Sequence, residues 1–457
     1  MISRLVAGRS EMSFAGSKGG NMKVAKFGGS SLADITQFRK VMAIVQEDAE
    51  RSVIVVSAPG KRTPSGHKVT DMLYLTHQLA TIDMGGNEVF SSIAERYLTI
   101  RDALELAYPL ERDLEEVKRH IFAGVSADYA ASRGEYLSAK LLAAALNFSF
   151  VDASEIIRFE DSGNLDLPTS LALSAEALKD GHFVVPGFYG AKENGEIVTF
   201  SRGGSDITGS ILSAALHAPV YENWTDVSGF LAADPRIVND PKPIEVITYE
   251  ELHELSYMGA QVLHEDAVYP AHHAGVPIHI RNTNAPNDLG TRIVPKKEDS
   301  PRIVTGISGK NGFMLVHVEK RHAAGDSGFL RRLVSVFEAN GCAVEHMPSS
   351  IDTVSVIVRE DPFRSKQKKI LEEISIFCEP DAIAVEDNIT LLAVVGEGMA
   401  KRAGVAARLF TALGKAGISV RMILQGASEL NIIIGVAKDD FAKAITALYR
   451  EFFKEEL

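Results

Sequence analysis

The chain has 457 residues, with 48 Lys plus Arg against 60 Asp plus Glu and a formal net charge of −12, which opposes nucleic-acid binding because that needs a basic face. A hydrophobic content of 46% excludes disorder as the main state, and no apolar run reaches the ~18 residues needed to cross a bilayer. The two cysteines, Cys342 and Cys378, form no C-x-x-C pair, so a disulfide framework or thiolate zinc site is not expected, a cytoplasmic setting is, and the length suggests about three domains of roughly 150 residues.

Residues 1–21 are rich in Ser and Gly and lack a continuous apolar core, so they read as a leader or disordered extension ahead of Met22. Lys23 to Phe27 reads as a strand, Gly28 to Ser31 as a turn, and 34–48 as a helix with Ile35, Phe38, Val41, Met42 and Val45 on one face. Ser52 to Val56 is a β-branched run suited to a strand buried on both faces. About 71–125 reads as a charged helical insertion. Further strands are expected at 182–186, 196–200 and 276–280, and helices at 207–216 and 249–260. Strands alternating with helices imply an α/β unit with a mostly parallel sheet. The stretch 282–300, rich in Pro, Asn and charge, reads as a linker. Beyond it the chain repeats at an offset of 76 residues, with Arg332, Leu333, Gly341 and Val344 matching Arg408, Leu409, Gly417 and Val420.

Three clusters carry chemistry. In Lys26-Phe-Gly-Gly-Ser30, two glycines between a strand and a helix let the backbone approach a phosphate, and the helix start favours an anion. The spacing is not that of a P-loop. In Ser201-Arg-Gly-Gly-Ser-Asp206 a second Gly-Gly turn precedes a helix, Arg202 offers a fork for a carboxylate or phosphate, and Asp206 has a competing reading as a helix cap. The third runs from Glu222 through Thr225 and Asp226 to Asp234-Pro-Arg236, a loop that could border a nucleotide or simply be held by Asx and Pro turns. His264 and the pair His272-His273 lack a supporting Cys or carboxylate set, so no metal site is expected.

Together, over 23–457, these clusters resemble the aspartokinases of the amino acid kinase superfamily. The resemblance implies a three-layer α/β sandwich with a mostly parallel sheet over 22–284, a linker over 285–301, and two ferredoxin-like βαββαβ ACT modules at 302–385 and 386–457. It implies ATP-dependent phosphorylation of the L-aspartate side chain, the first step towards lysine, threonine and methionine, with Mg²⁺ accompanying ATP. By the same resemblance Lys26 stabilises the phosphoryl group in flight, Gly28, Gly29 and Ser30 cradle it, and Asp206 orients Lys26. Arg202 binds the aspartate α-carboxylate and Glu135 its ammonium, with Thr70, Phe188 and Ser205 lining that pocket. Thr225, Asp226, Leu231 and Arg236 border ATP. An amino acid effector, lysine first, is expected at Asp326, Phe329, Leu330, Val344 and Glu345, and a homodimer or homotetramer through the ACT modules. Gln261 departs from the lysine that many relatives carry there. The competing expectations are a glutamate or acetylglutamate kinase, or a catalytically silent amino acid sensor; a fused homoserine dehydrogenase is disfavoured because the chain stops at the second repeat.

Overall fold

A computed structural model describes residues 22–454 except 202, 261–262, 264 and 298–301; the expectations on 1–21, Arg202, Gln261 and His264 lie outside the described residues. The chain divides into two compact units, one of residues up to 226 with 266–278, the other of 227–265 with 279–457.

The first unit runs β1 (Lys23–Phe27), α1 (Ile35–Glu47), β2 (Arg51–Val56), α2 (Val69–Thr81), α3 (Asn87–Ala103), α4 (Leu110–Phe122), α5 (Ala127–Leu146), β3 (Ser149–Phe150), α6 (Ala153–Ile156), β4 (Arg158–Phe159), β5 (Leu165–Asp166), α7 (Leu167–Ala177), β6 (Phe183–Pro186), β7 (Tyr189–Ala191), β8 (Ile197–Thr199), α8 (Gly204–Ala215) and β9 (Tyr221–Thr225). Within this unit β9, β1, β2, β6 and β3 lie side by side in that order, and every pair is parallel. Every residue of β2 is buried, as a strand covered on both faces requires. In β1 the alternation sends Ala25 and Phe27 into the core shared with the helices and leaves Lys26 for the opposite face. The expected strand at 196–200 is β8, but it lies in a separate sheet ordered β5-β4-β7-β8, where it pairs antiparallel with β7.

Helix α1 starts where Asp34 accepts a 3.0 Å hydrogen bond from the Gln37 amide, and it buries Phe38, Val41, Ile44 and Val45. The helical insertion is three helices, α2 to α4. The outer faces of α3 and α4 are charged as expected, whereas α2 exposes Leu75, Gln78 and Thr81 beside Asp71. Each helix buries an apolar stripe, and Leu73 of α2, Ile93 and Tyr97 of α3, and Leu114 and Val117 of α4 join one core with Leu137 and Leu141 of α5.

The second unit begins with β10 (Val246–Thr248) and α9 (Tyr249–Tyr257). After α10 (Glu265–His273) come β11 (Ile278–Asn282), β12 (Thr291–Val294), β13 (Gly306–Glu319), α11 (Phe329–Ala339), β14 (Val344–His346), β15 (Thr353–Arg359), α12 (Glu360–Arg364), α13 (Gln367–Cys378), β16 (Ala382–Val395), α14 (Val405–Lys415), β17 (Val420–Leu424), β18 (Asn431–Ala437) and α15 (Phe441–Phe453). The stretch expected as a linker therefore holds a strand: β12 pairs in parallel with β10, Val246 opposite Arg292.

The repeat is visible in three dimensions, because α14 begins and ends 76 residues after α11. The two modules share one sheet ordered β14-β15-β13-β16-β18-β17. Their boundary is not sequential, contrary to the expected split at 385. The 313–319 part of β13 pairs with β15, whereas its 306–310 part pairs with 391–395 of β16. A Cβ on Gly309 would fall 2.6 Å from Phe441 of α15. Each module is thus a βαββαβ unit, and the last strand of the second is supplied from ahead of the first.

Candidate active site

Strand β1 delivers Lys26 to a buried position, 6% exposed, where its ammonium lies 2.5 Å from Asp206 Oδ1 at the start of α8. Asn223, directly opposite Lys26 in the β1–β9 register, donates to the same Asp206 oxygen at 2.9 Å and accepts from Lys26 at 3.4 Å. Lys26, Asp206 and Asn223 therefore form a closed polar triad, and each side chain fixes the next. A Cβ on Gly28 would sit 3.6 Å from the Lys26 Nζ, so the Gly-Gly turn lies against the ammonium. Gly29 packs so tightly on the loop after β2 that a Cβ there would meet the Ala58 carbonyl at 2.8 Å. The first cluster is thus a built backbone cradle beside a fixed cation.

Asp206 is not merely a cap. Its side chain faces Lys26, and no side chain among the described residues caps α8, which begins after Gly203 in the left-handed region, φ 59°. The backbone N–H groups of that first turn remain an anion-favouring end. Ser205, 7% exposed, packs against Gly187. Phe188 has φ 78°, a conformation that a bulky residue adopts only when its surroundings impose it. The imposition is visible: its amide donates to Thr208 Oγ1 at 3.2 Å, its carbonyl accepts from Phe200 at 2.9 Å, and its ring lies against Gly204.

Helix α5 carries Glu135. This carboxyl is 5% exposed, and its Oε2 has no hydrogen-bond partner among the described residues. Burial pushes it up from 4.5 to about 8, against opposing pulls from the backbone amides of Ala58 and Glu135 and from Arg133. Arg133 is itself packed among Tyr129, Tyr136 and Tyr189, with its guanidinium carbon 4.4, 4.5 and 5.1 Å from their ring centres. The Tyr97 hydroxyl donates to the Gly134 carbonyl at 2.7 Å. The helix is clamped at the two residues just before Glu135, so the unpartnered oxygen is a held feature.

A cavity of about 650 Å³ brings Gly29, Ser30, Thr70, Glu135 and Asp226 together. Phe188 and Ser205 are not among its lining residues. Thr225 ends β9 and bonds to Asp226 at 3.2 Å. Leu231 and Arg236 belong to the other unit: Leu231 is 39% exposed and bridges Pro243, and the exposed Arg236 pairs with Asp234 at 2.6 Å. Sequence reasoning missed Asn223, whose role rests on register, and the basic residues Lys61, Arg62 and Lys68, which line the cavity from the loop before α2. The charge run around Gly60 was the available signal.

In the second unit Phe329 is fully buried and Leu330 is exposed. Asp326 pairs with Arg332 at 2.5 Å. Glu345 pairs with Arg359 at 2.8 Å and accepts from the Tyr257 hydroxyl at 2.5 Å, and half-buried Val344 lies beside it in β14.

Residues 21–282 match the amino acid kinase family and residues 392–452 match an ACT domain. The chain is 36% identical to aspartokinase 3 of Bacillus subtilis over 452 residues, 94% of this chain and 99% of that one. Its structure is similar to that of aspartate kinase from Clostridium acetobutylicum, with a TM-score of 0.90 and 48% identity, covering 94% of this chain and 100% of that one. Escherichia coli aspartokinase III is 26% identical, with TM-scores of 0.70 in complex with aspartate and ADP and 0.72 in complex with lysine and aspartate, covering 94–95% of this chain and 100% of those. A fixed Lys-Asp pair under a Gly-Gly cradle, followed by paired βαββαβ modules, agrees with these likenesses, and the chain belongs to the amino acid kinase family, among the aspartokinases with C-terminal ACT domains.

Proposed function

We propose that the protein transfers the γ-phosphoryl group of ATP to the side-chain carboxylate of L-aspartate, giving 4-phospho-L-aspartate and ADP, under control by an amino acid effector. The observation that carries this is the Lys26–Asp206 pair beside the Gly28-Gly29 turn, next to a cavity lined by the buried carboxyl of Glu135, whose Oε2 has no hydrogen-bond partner among the described residues.

The nucleophile needs no general base, since a carboxylate with a pKa near 4 is almost wholly ionised at pH 7. The difficulty is bringing two anions together, so catalysis is positioning and charge neutralisation. Lys26 faces the phosphoryl group, held by Asp206 and Asn223, while Gly28, Gly29 and Ser30 present backbone to it. Thr225 and Asp226 border the nucleotide. Mg²⁺ arrives as part of the nucleotide substrate, held mainly by phosphate oxygens and water. Glu135 takes the α-ammonium of aspartate, an interaction that requires its ionised form. Aspartate binding therefore draws a proton off Glu135 near neutral pH. Thr70, Phe188 and Ser205 complete that side, and Arg202 takes the α-carboxylate.

Lysine is the proposed effector, at Asp326, Leu330, Val344 and Glu345, and the assembly a homodimer or homotetramer in the cytoplasm, joined through the ACT modules. Both acids of the effector region are already paired with arginines, so an incoming ammonium must share or displace those cations. That is a differential contact of the kind that shifts two states.

The test is ATP-dependent acyl hydroxamate formation with aspartate, glutamate and N-acetylglutamate as separate acceptors, repeated with lysine, threonine and methionine. Selective turnover of aspartate and inhibition by lysine is the expected result. Preference for another acceptor would refute the substrate, and indifference to all three effectors would refute the regulation.

A further inference from the structure

The loop between β2 and α2 places three cations at the cavity, Lys61, Arg62 and Lys68. All are exposed, and neither Lys61 nor Lys68 has an ion-pair partner among the described residues. A charge run on a loop is usually only solvated, but this loop is fastened at several points. The Gly60 amide donates to the Gly29 carbonyl at 2.7 Å, and a Cβ on Gly60 would lie 2.8 Å from the Gly29 carbonyl carbon and oxygen. The Gly66 amide closes a turn onto Thr63 at 2.9 Å, and the Val69 amide donates to Pro59 at 3.1 Å.

Beneath the loop lies Arg96 of α3, 7% exposed. Its guanidinium donates to the Gly60 carbonyl at 2.6 Å, the His67 carbonyl at 3.0 Å and the Ala33 carbonyl at 3.4 Å. The first two lie at either end of the cationic segment, and the third follows the Gly-Gly turn. A buried guanidinium facing carbonyls rather than a carboxylate is costly to keep. Here it ties together three backbone segments, at Ala33, Gly60 and His67.

Resting on the aspartate kinase reading above, we propose that Lys61 and Lys68 bind the two anionic substrates at this cavity, and that Arg96 is the positioning residue that holds their loop in place. Lys61 adjoins Gly60, which touches the Gly29 cradle, so it serves the phosphoryl oxygens. Lys68 is two residues from Thr70 in the same cavity lining as Glu135, so it serves a carboxylate of the acceptor. Lys26 is tied to Asp206, so these lysines supply positive charge that no carboxylate among the described residues already pairs with.

The experiment compares steady-state kinetics of the full chain with Lys61→Ala, Lys61→Arg, Lys68→Ala and Arg96→Lys. Lys61→Ala is expected to lower kcat/KM for ATP by about 10- to 100-fold, the scale of one lost charge-assisted hydrogen bond, and Lys61→Arg to recover most of it. Lys68→Ala is expected to raise KM for aspartate with little change in kcat. Arg96→Lys is expected to reproduce these changes in the wild-type background but to add little once Lys61 and Lys68 are both alanine, a non-additivity that general loss of stability would not produce. If the wild type turns over aspartate and both alanine variants stay within about twofold of it, the proposal is overturned while the kinase reading stands. A wild type inert towards aspartate would remove the kinase reading itself, and this proposal with it.

Discussion

Glu135 sets stability against binding, and Glu135→Gln separates the two. In the unfolded chain this carboxyl ionises at its ordinary 4.5, whereas in the folded chain burial holds its proton until about 8. Between those values the folded state carries one proton more than the unfolded state, so stability falls as pH rises from 4.5 and levels off above about 8. At about 1.4 kcal/mol per pH unit, the empty protein at pH 7 has lost up to about 3 kcal/mol relative to pH 4.5. Gln has the shape and neutrality of the protonated acid and does not titrate. Glu135→Gln should therefore melt higher than wild type at pH 7.5, by several degrees at the ~2–4 °C per kcal/mol of a domain this size. The gap should shrink as both are brought to pH 5. The same variant should raise KM for aspartate by about 10- to 100-fold, since an amide cannot pair with the ammonium. In the wild type, KM for aspartate should fall about tenfold per unit as pH rises towards 8. Thermal melts of the unliganded protein across this range, alongside KM at each pH, check both limbs. A variant no more stable than wild type at pH 7.5, or more stable by a constant amount at every pH, would refute the burial argument.

Lys26→Ala should lower kcat by at least about 100-fold, the scale of one lost transition-state donor; near-normal turnover in an ADP-release assay would dismiss its role. Gly60→Ala places a methyl 2.8 Å from backbone atoms of Gly29 that have no room to yield, so it should cost about 1–3 kcal/mol together with activity, read by melting and turnover on one preparation. In the second unit the fully buried Glu251 accepts from Thr305 at 2.6 Å and the Glu397 amide at 2.9 Å, and pairs with Lys297 at 2.5 Å. Burial pushes this carboxyl up, but Lys297 and the hydrogen bonds outweigh it and hold it below 4.5. Its stabilising contribution is thus present above 4.5 and lost as pH falls further. Lys297→Ala leaves that carboxylate unpaired and should cost about 3–5 kcal/mol at pH 7, measured by denaturant unfolding; a cost below about 1 kcal/mol would contradict the pairing.

What the sequence made legible was local. A strand, two glycines and a helix start are contiguous, so the Lys26 and Asp206 turns could be read without knowing what faces them. The 76-residue repeat was legible for the same reason, since each helix ends at its own glycine. Pairing between distant segments was not. The four residues of β12 sit among Pro, Asn and charge, and it is their place between β10 and β11 that makes them a strand. The module boundary depends on which half of β13 faces which half of β16; polar breaks at Lys310-Asn-Gly312 and Glu386-Asp-Asn388 divide each strand, but they do not say which halves pair.

The distribution of positive charge follows the same division. With a net charge of −12, an enzyme of two anionic substrates must gather cations locally, and the sequence pointed to Lys26, Arg202 and Arg236. Lys26 is matched by Asp206 at 2.5 Å and Arg236 by Asp234 at 2.6 Å, so each pair contributes little field beyond its immediate contact. The unmatched cations at the cavity are on the loop that Arg96 holds, and a residue 35 positions beyond Lys61 fixes where they point. A carbonyl-bound arginine leaves no charge pattern in a sequence, because its partners are backbone atoms that any residue would supply.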